Sequence, residues 1–276
     1  MEGFQMDPLF RDLEQAISYS GDQTGIGPSY NIWKKFRRRN DVILSQQNFL
    51  TNAPTFASTV VQQGMVTYQD IGVTIQPSVT RLEGLEFAGN DADNDEGSIG
   101  GKTESPFVIS DTAAENKMLA FECRIKKASV ADNGLAFFAG LMEPGKVAAN
   151  ALVDNTGAVV DADYIGFSNL ADDGDSLDAV YKKASQTAQD VEAGCHTLVA
   201  DTFVKLGFLY DPDEDDAHKI RFFVDGADIG SFVTGTNIAA ATFPDSENLT
   251  WIFATKVGSA AEVKAHLQWF RVAQIV

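Results

Sequence analysis

The stretch KIRFFVDGADIGSFV, residues 219–233, decides the fold. Asp225-Gly226 stands between two apolar runs. That is a strong short-range hairpin signal, because a two-residue turn that matches strand twist needs positive φ at both central positions. Outward from it, VTYQDIGVTIQ, FVIS, MLAFECRIKKA, LAFFAGLM, YIGFSN, AVYKKA, HTLVA, FVKLGFLYD, LTWIFATKV and AHLQWFRVAQIV read as strands between Gly/Asp/Asn clusters. In MLAFECRI, Met118, Ala120, Glu122 and Arg124 oppose Leu119, Phe121, Cys123 and Ile125, the alternation of a pleated strand. Many strands without a long helix among them predict an all-β chain, an antiparallel sandwich or barrel. No repeat of fixed period is visible.

The chain has 276 residues, 44% hydrophobic and 22% charged, a globular composition able to bury a sizeable core. Nineteen phenylalanines favour a core with strong β character. A net charge of -18 argues against nucleic acid as partner of the body, since phosphates are repelled. Two cysteines, Cys123 and Cys195, are too few for a disulfide framework and read as buried thiols of a reducing cytoplasm. No apolar run reaches the ~18 residues of a membrane helix, so no membrane partner is expected. MEGFQMDPLFRDLEQ carries acids and no continuous apolar core, unlike a signal peptide.

The charge is unevenly divided. Residues 1–65 hold six basic and six acidic residues, so the whole -18 falls on residues 66–276. Asp7-Pro8 opens a predicted helix, with Leu9, Phe10, Leu13 and Ile17 on one stripe. GDQTGIGPS (21–29) breaks it. A basic knot follows, NIWKKFRRRN (31–40), in which Ile32, Trp33 and Phe36 could share a face of a second short helix. From Val42 to Gly64 the chain is polar without a clear period. The reading is an extended, partly helical N-terminal arm over 1–65, for docking and oligomerisation, and a sandwich over 66–276.

FVKLGFLYDPDEDDAHKIRFFVDGADIGSF resembles the hairpin of concanavalin A-like (laminin G-like) jelly rolls, and LQWFRVAQIV their final core strand. In more detail, YQDIGVTIQPS, NDADNDEGSIGG, AFECRIKKASV, DADYIGFSNLADDGDSLDAVYKKA and TFPDSENLTWIFATKVGS resemble jelly-roll structural proteins of tailed-phage virions, which serve there as capsid decoration or cement proteins. The resemblance covers about residues 66–276 and rests on pattern more than on an invariant motif. It implies a non-enzymatic protein on the virion's capsid surface, made in the host cytoplasm. Its partners would be the major capsid protein and its own copies, with a trimer favoured. The alternative is a carbohydrate-binding module, a tail or surface adhesin. A glycoside hydrolase comes third.

The laminarinase-type hydrolases among such jelly rolls carry E-x-D-x-x-E on one strand, because acid and nucleophile must stand ~5 Å apart for retention. Here Glu83 and Glu86 lack the Asp between them, and Glu122 stands alone between Phe121 and Cys123. No catalytic residue is assigned. His196, His218 and His266 sit in no metal-ligand spacing. GNDADNDEG (89–97) places Asp91, Asp93 and Asp95 as in a calcium loop, but Gly97 is one place late and Lys102 stands where a Glu is needed. With DPDEDDAH (211–218) and DDGDSLD (172–178) it reads as a solvated hairpin tip, and neither metal nor cofactor is assigned. Trp251, Trp269 and Tyr210 could form a sugar-stacking platform, although Trp269 lies in a core-like strand, which predicts burial.

Three readings of the basic knot compete. It is a solvated turn paired with the acidic body, a single-strand nucleic-acid contact, or part of a docking arm. Composition favours the arm, since Trp and Arg are enriched at interface hot spots. The expected partner-binding residues are therefore Trp33, Lys34, Lys35, Phe36, Arg37, Arg38 and Arg39.

Overall fold

The computed structural model describes residues 32–36, 41–50, 60–62, 65–70, 72–80, 82–89, 93–101, 107–148, 150–154, 156–259 and 263–276. The predicted helix after Asp7-Pro8 lies outside these residues. The strands among them are β1 (Val42–Asn48), β2 (Val60–Gln62), β3 (Met65–Gln69), β4 (Val73–Pro77), β5 (Leu85–Gly89), β6 (Glu96–Gly101), β7 (Phe107–Val108), β8 (Leu119–Lys127), β9 (Leu135–Met142), β10 (Leu152–Val153), β11 (Ala158–Val159), β12 (Tyr164–Asn169), β13 (Ser176–Lys182), β14 (Gln189–Thr197), β15 (Val204–Tyr210), β16 (Ile220–Val224), β17 (Ala227–Val233), β18 (Asn248–Val257) and β19 (Val263–Ile275). All pairings are antiparallel. The first sheet runs β17-β16-β15-β8-β19-β5-β4, with β1 also on β19. The second runs β14-β13-β12-β9-β18-β6-β3-β2, with β7 also on β18. The hairpin β10-β11 stands apart.

The Asp-Gly signal holds at its own residues. Asp225 and Gly226 have φ of 50° and 81°, and they join β16 to β17 with Val224 opposite Ala227. Alternation sorts β8 as its sequence predicts. Leu119, Phe121, Cys123 and Ile125 enter the core between the sheets, while Met118 and Ala120 belong to a separate cluster on the outer face. Aromatic rings staple the sheets together. Phe121 stacks on Phe208 (5.4 Å), Phe208 meets Phe222 (5.6 Å), and Phe222 meets Phe167 of the opposite sheet edge-on (5.5 Å). Farther along, Trp251 of β18 stacks on Phe270 of β19. Such pairs add to the area term that dominates burial.

Both outer faces are covered as well. On the second sheet, Val147, Ala151, Leu152 and Ala162 pack on Phe138, Met142, Tyr164, Val180, Ile252 and Ala254. Glycine lets that cover lie close: a Cβ on Gly100 would meet a methyl of Val147. On the first sheet, a 3-10 helix, Ile32–Phe36, joins Met118, Ala120, Leu209, Phe223, Ala273 and Ile275.

Three readings need correction. The segment 42–48 is a strand: β1 pairs from Val42 opposite Ile275 to Asn48 opposite Trp269. The boundary at residue 65 therefore does not coincide with an edge of the sandwich. VTYQDIGVTIQ is two strands, β3 and β4, which turn a corner into different sheets. HTLVA is displaced by β14, an edge strand of mostly exposed residues whose alternation breaks where its register with β13 shifts. Its Asp190 and Glu192 guard the edge against pairing with another chain.

Phe208→Ala removes the ring common to two aromatic contacts in the core. It is expected to destabilise the chain by about 3–5 kcal/mol in urea unfolding, without changing the m-value.

Candidate functional site

The outer face of the first sheet gathers the charged side chains that alternation turns away from the core. Glu122 lies at its centre, opposite Arg271 on β19 and Gly207 on β15. One carboxylate oxygen accepts from the Trp33 indole N–H (2.8 Å), from Arg271 Nε (2.9 Å) and from Arg271 Nη2. The other lies 3.4 Å from Lys205 Nζ. The Arg271 guanidinium sits between two indoles, 4.4 Å from the Trp33 ring and 5.0 Å from that of Trp269. A buried carboxylate with so many donors is a structural anchor, since removing one partner strands the other.

The same anchor places the basic knot. Trp33 and Phe36 are fully buried, their rings 5.8 Å apart, against this chain's own sheet. Lys35 pairs with Asp211 and lies 3.2 Å from Glu214. The outer face of β8, β15 and β19 thus holds the Trp33 and Phe36 rings of the expected docking segment. Arg37, Arg38, Arg39 and the side chain of Lys34 lie outside the described residues.

A second charged group stands beside the first. Glu86 is opposite His266 on β19, and His266 is opposite Lys126 on β8. Glu83 receives Lys126 (2.6 Å) and Ser78 (3.0 Å), while Glu86 receives Gln76 (3.1 Å) and lies 3.6 Å from Lys264. His266 is buried, with Nδ1 3.7 Å from Glu83. Burial lowers its pKa, Lys126 and Lys264 add to that effect, and the two carboxylates oppose it. The Glu83 and Glu86 noted in the sequence are therefore brought to one place, each beside a lysine.

On the second sheet, β12 turns Tyr164 outward into the covered cluster and Ile165 and Phe167 into the core, so it presents no carboxylate. The buried acid there is Glu96, whose oxygens accept from the amides of Ala151 (2.7 Å) and Leu152 (3.2 Å), with Lys256 at 3.7 Å. Burial pushes its carboxyl up to about 7, although the two amides and Lys256 hold it down. At the sandwich's end Lys127 crosses between the sheets to the Asn169 side chain and the Gly174 carbonyl (3.1 Å).

Of the aromatic trio, Trp251 and Tyr210 are buried, and Tyr210 donates to the Ser110 carbonyl (2.5 Å). Trp269 is half-buried rather than buried as predicted, because a bulge at Gln268 turns it onto the outer face. His218 lies 2.6 Å from Asp215 in its loop. Among the described residues no three His, Cys, Asp or Glu are placed to hold a metal ion. Asp91 and Lys102 lie outside them. The Glu122 anchor was not foreseeable from its own neighbourhood, since Trp33 is 89 residues away and Arg271 is 149 away.

Glu122→Gln leaves Arg271 buried beside a neutral amide, and a loss of about 3–5 kcal/mol is expected in urea unfolding. Glu96 makes stability depend on pH. Its pKa is raised on folding, so its contribution is full below the unfolded value and is lost as pH rises through about 7. Stability should fall by up to about 3 kcal/mol between pH 5 and 8, and Glu96→Gln should flatten that slope.

No family model matches the chain, and no curated protein matches it. Solved structures do. A protein of unknown function from Shewanella oneidensis MR-1 superposes with a TM-score of 0.52 at 14% identity, covering 100% of this chain and 97% of that one. The carbohydrate recognition domain of Emp47p gives 0.55 at 14% identity, over 84% and 97%. The endo-1,3-beta-glucanase of Streptomyces sioyaensis gives 0.55 at 11%, over 86% and 98%. The chain has the concanavalin A-like jelly-roll fold of lectins and glucanases.

Proposed function

We propose that this chain is a non-enzymatic structural protein of a tailed-phage virion that decorates or cements the capsid. It would bind the major capsid protein and its own copies, with a trimer favoured. The observation that carries this reading is the fate of the polar groups on the first sheet. Glu122 is taken up by Arg271, Trp33 and Lys205, and Glu83 and Glu86 by Lys126 and Lys264. Hydrolysis needs one carboxyl free to donate a proton and another free to attack or to activate water. Carboxylates committed to cations fit a scaffold better. The outer-face covers act in the same direction, because they occupy the sandwich's broad surfaces with the chain's own residues. The pattern-level resemblance to virion jelly rolls supplies the kind of assembly. Many copies on a shell turn modest contacts into firm attachment.

A second reading, a carbohydrate-binding module of a tail or surface adhesin, draws on Trp269, whose half-buried indole lies on the outer face beside Arg271. Stacking on a sugar would use its open side.

The test is co-sedimentation of purified protein with shells of the major capsid protein from the phage that encodes it. Saturable binding at fixed stoichiometry is expected. No binding to shells, together with binding on a glycan array that Trp269→Ala abolishes, would favour the adhesin instead.

A further inference from the structure

The cover of the second sheet leaves it and returns at a single rung. Met142 ends β9 opposite Tyr164 at the start of β12, and just beyond them the Glu143 amide donates to the Asp163 carbonyl (2.8 Å). Between these points run the 3-10 helix Lys146–Ala148 and the β10-β11 hairpin, whose strands pair only with each other among the described residues. An excursion closed at its base can lift without unpairing β9 from β12 or β18, so it can open as a unit of its own.

Two side chains of β6 clasp it from beneath. Ser98 donates to the Val147 carbonyl (2.9 Å), and Glu96 accepts from the amides of Ala151 (2.7 Å) and Leu152 (3.2 Å). At the rim, the Thr156 carbonyl accepts from the Ala171 amide (2.8 Å). Asp161 pairs with Lys182 (3.0 Å) and accepts from the Ser185 amide (2.8 Å). The first strand of the hairpin thus gives two of its amides to a side chain of the sheet rather than to a neighbouring strand, and that side chain can take up a proton.

Glu96 is fully buried. Lys256 of β18 faces it at 3.7 Å. Tyr68 of β3 and Asp70 just beyond that strand feel its charge, and Asp154 of the cover feels that of Lys256. Burial and Asp70 push the Glu96 carboxyl up to about 7, against the two amides and Lys256. Lifting the cover returns water to the carboxyl and removes the cause of the shift. The closed form therefore holds the proton more tightly than the open form. Closure is strongest below the ordinary carboxylate range and weakens as pH rises through about 7. We propose that residues 143–148, 150–154 and 156–163 form a proton-gated cover, which Glu96 clasps shut when protonated and releases when ionised, baring the apolar outer face of β9, β12 and β18. Phe138, Met142, Tyr164 and Ile252 are the large side chains so uncovered.

Amide hydrogen exchange of the full chain, followed by NMR from pH 5 to 8 and corrected for the intrinsic rate at each pH, tests it. The amides of Ala151, Leu152 and Val160 report on the cover, and those of Phe121 and Val272 on the core. The cover is expected to open more readily than the core at every pH, with an opening constant that rises at least about tenfold between pH 5 and 8. Glu96→Gln should keep the separate opening and abolish the rise. Lys256→Gln removes the cation that favours the ionised form, so the rise should extend to higher pH. Three results would overturn the proposal: cover amides that exchange in step with the core, an opening constant that is flat or falls with pH in the wild-type chain, or a rise that Glu96→Gln leaves in place. Should Glu96→Gln not fold, Lys256→Gln decides, and a rise whose midpoint it leaves unmoved overturns the proposal.

Discussion

The first sheet depends on a single strand with two occupied edges. One edge of β19 is paired with β8 from Ala265 to Gln274. The other is divided end to end, with β5 on Val263–Leu267 and β1 on Trp269–Ile275. Its side chains alternate accordingly. Ala265, Leu267, Phe270 and Val272 enter the central core, while His266, Trp269 and Arg271 face outward. The bulge at Gln268 lets the two halves of the strand serve different neighbours, and the displaced glutamine secures Leu82 and Arg124. Anchor and charged group are both arranged around this ladder.

The legible part of the fold is the part governed by local rules. Asp225-Gly226 announces its turn because backbone sterics at two residues decide it. MLAFECRI shows its two faces because a strand between core and covered surface must alternate. The rest depends on partners far along the chain. The run VILSQQN shows no clear alternation of its own, and β1 pairs along the edge of β19 that offers it hydrogen bonds. Trp33 and Phe36 look homeless among lysines and arginines until β8 and β19 provide a face. Glu96 lies 55 residues from the amide of Ala151 that it caps, and no spacing rule connects them.

The candidate site shows the same division. Glu83 and Glu86 were visible as a close pair, and the β4-β5 hairpin brings them together. Their commitment to Lys126 and Lys264 was not visible, since those lysines arrive from β8 and β19. Residue type suggests what chemistry is possible; neighbours contributed by distant strands decide whether a carboxylate is available for it.

Strand order also bears on how the chain is made. The central strand of the second sheet, β18, joins β9 to β6, and β19 joins β8 to β5, yet both follow in sequence all the strands they unite. During synthesis, the strands of each half-sheet emerge first and wait with open edges. The second layer cannot close until the chain is made through Val257, nor the first until it is made through Ile275. Contacts of such long sequence separation make for slow folding, and waiting edges invite pairing between nascent chains on neighbouring ribosomes. Acidic residues such as Asp190 and Glu192 on an exposed edge thus protect the unfinished molecule as well as the finished one.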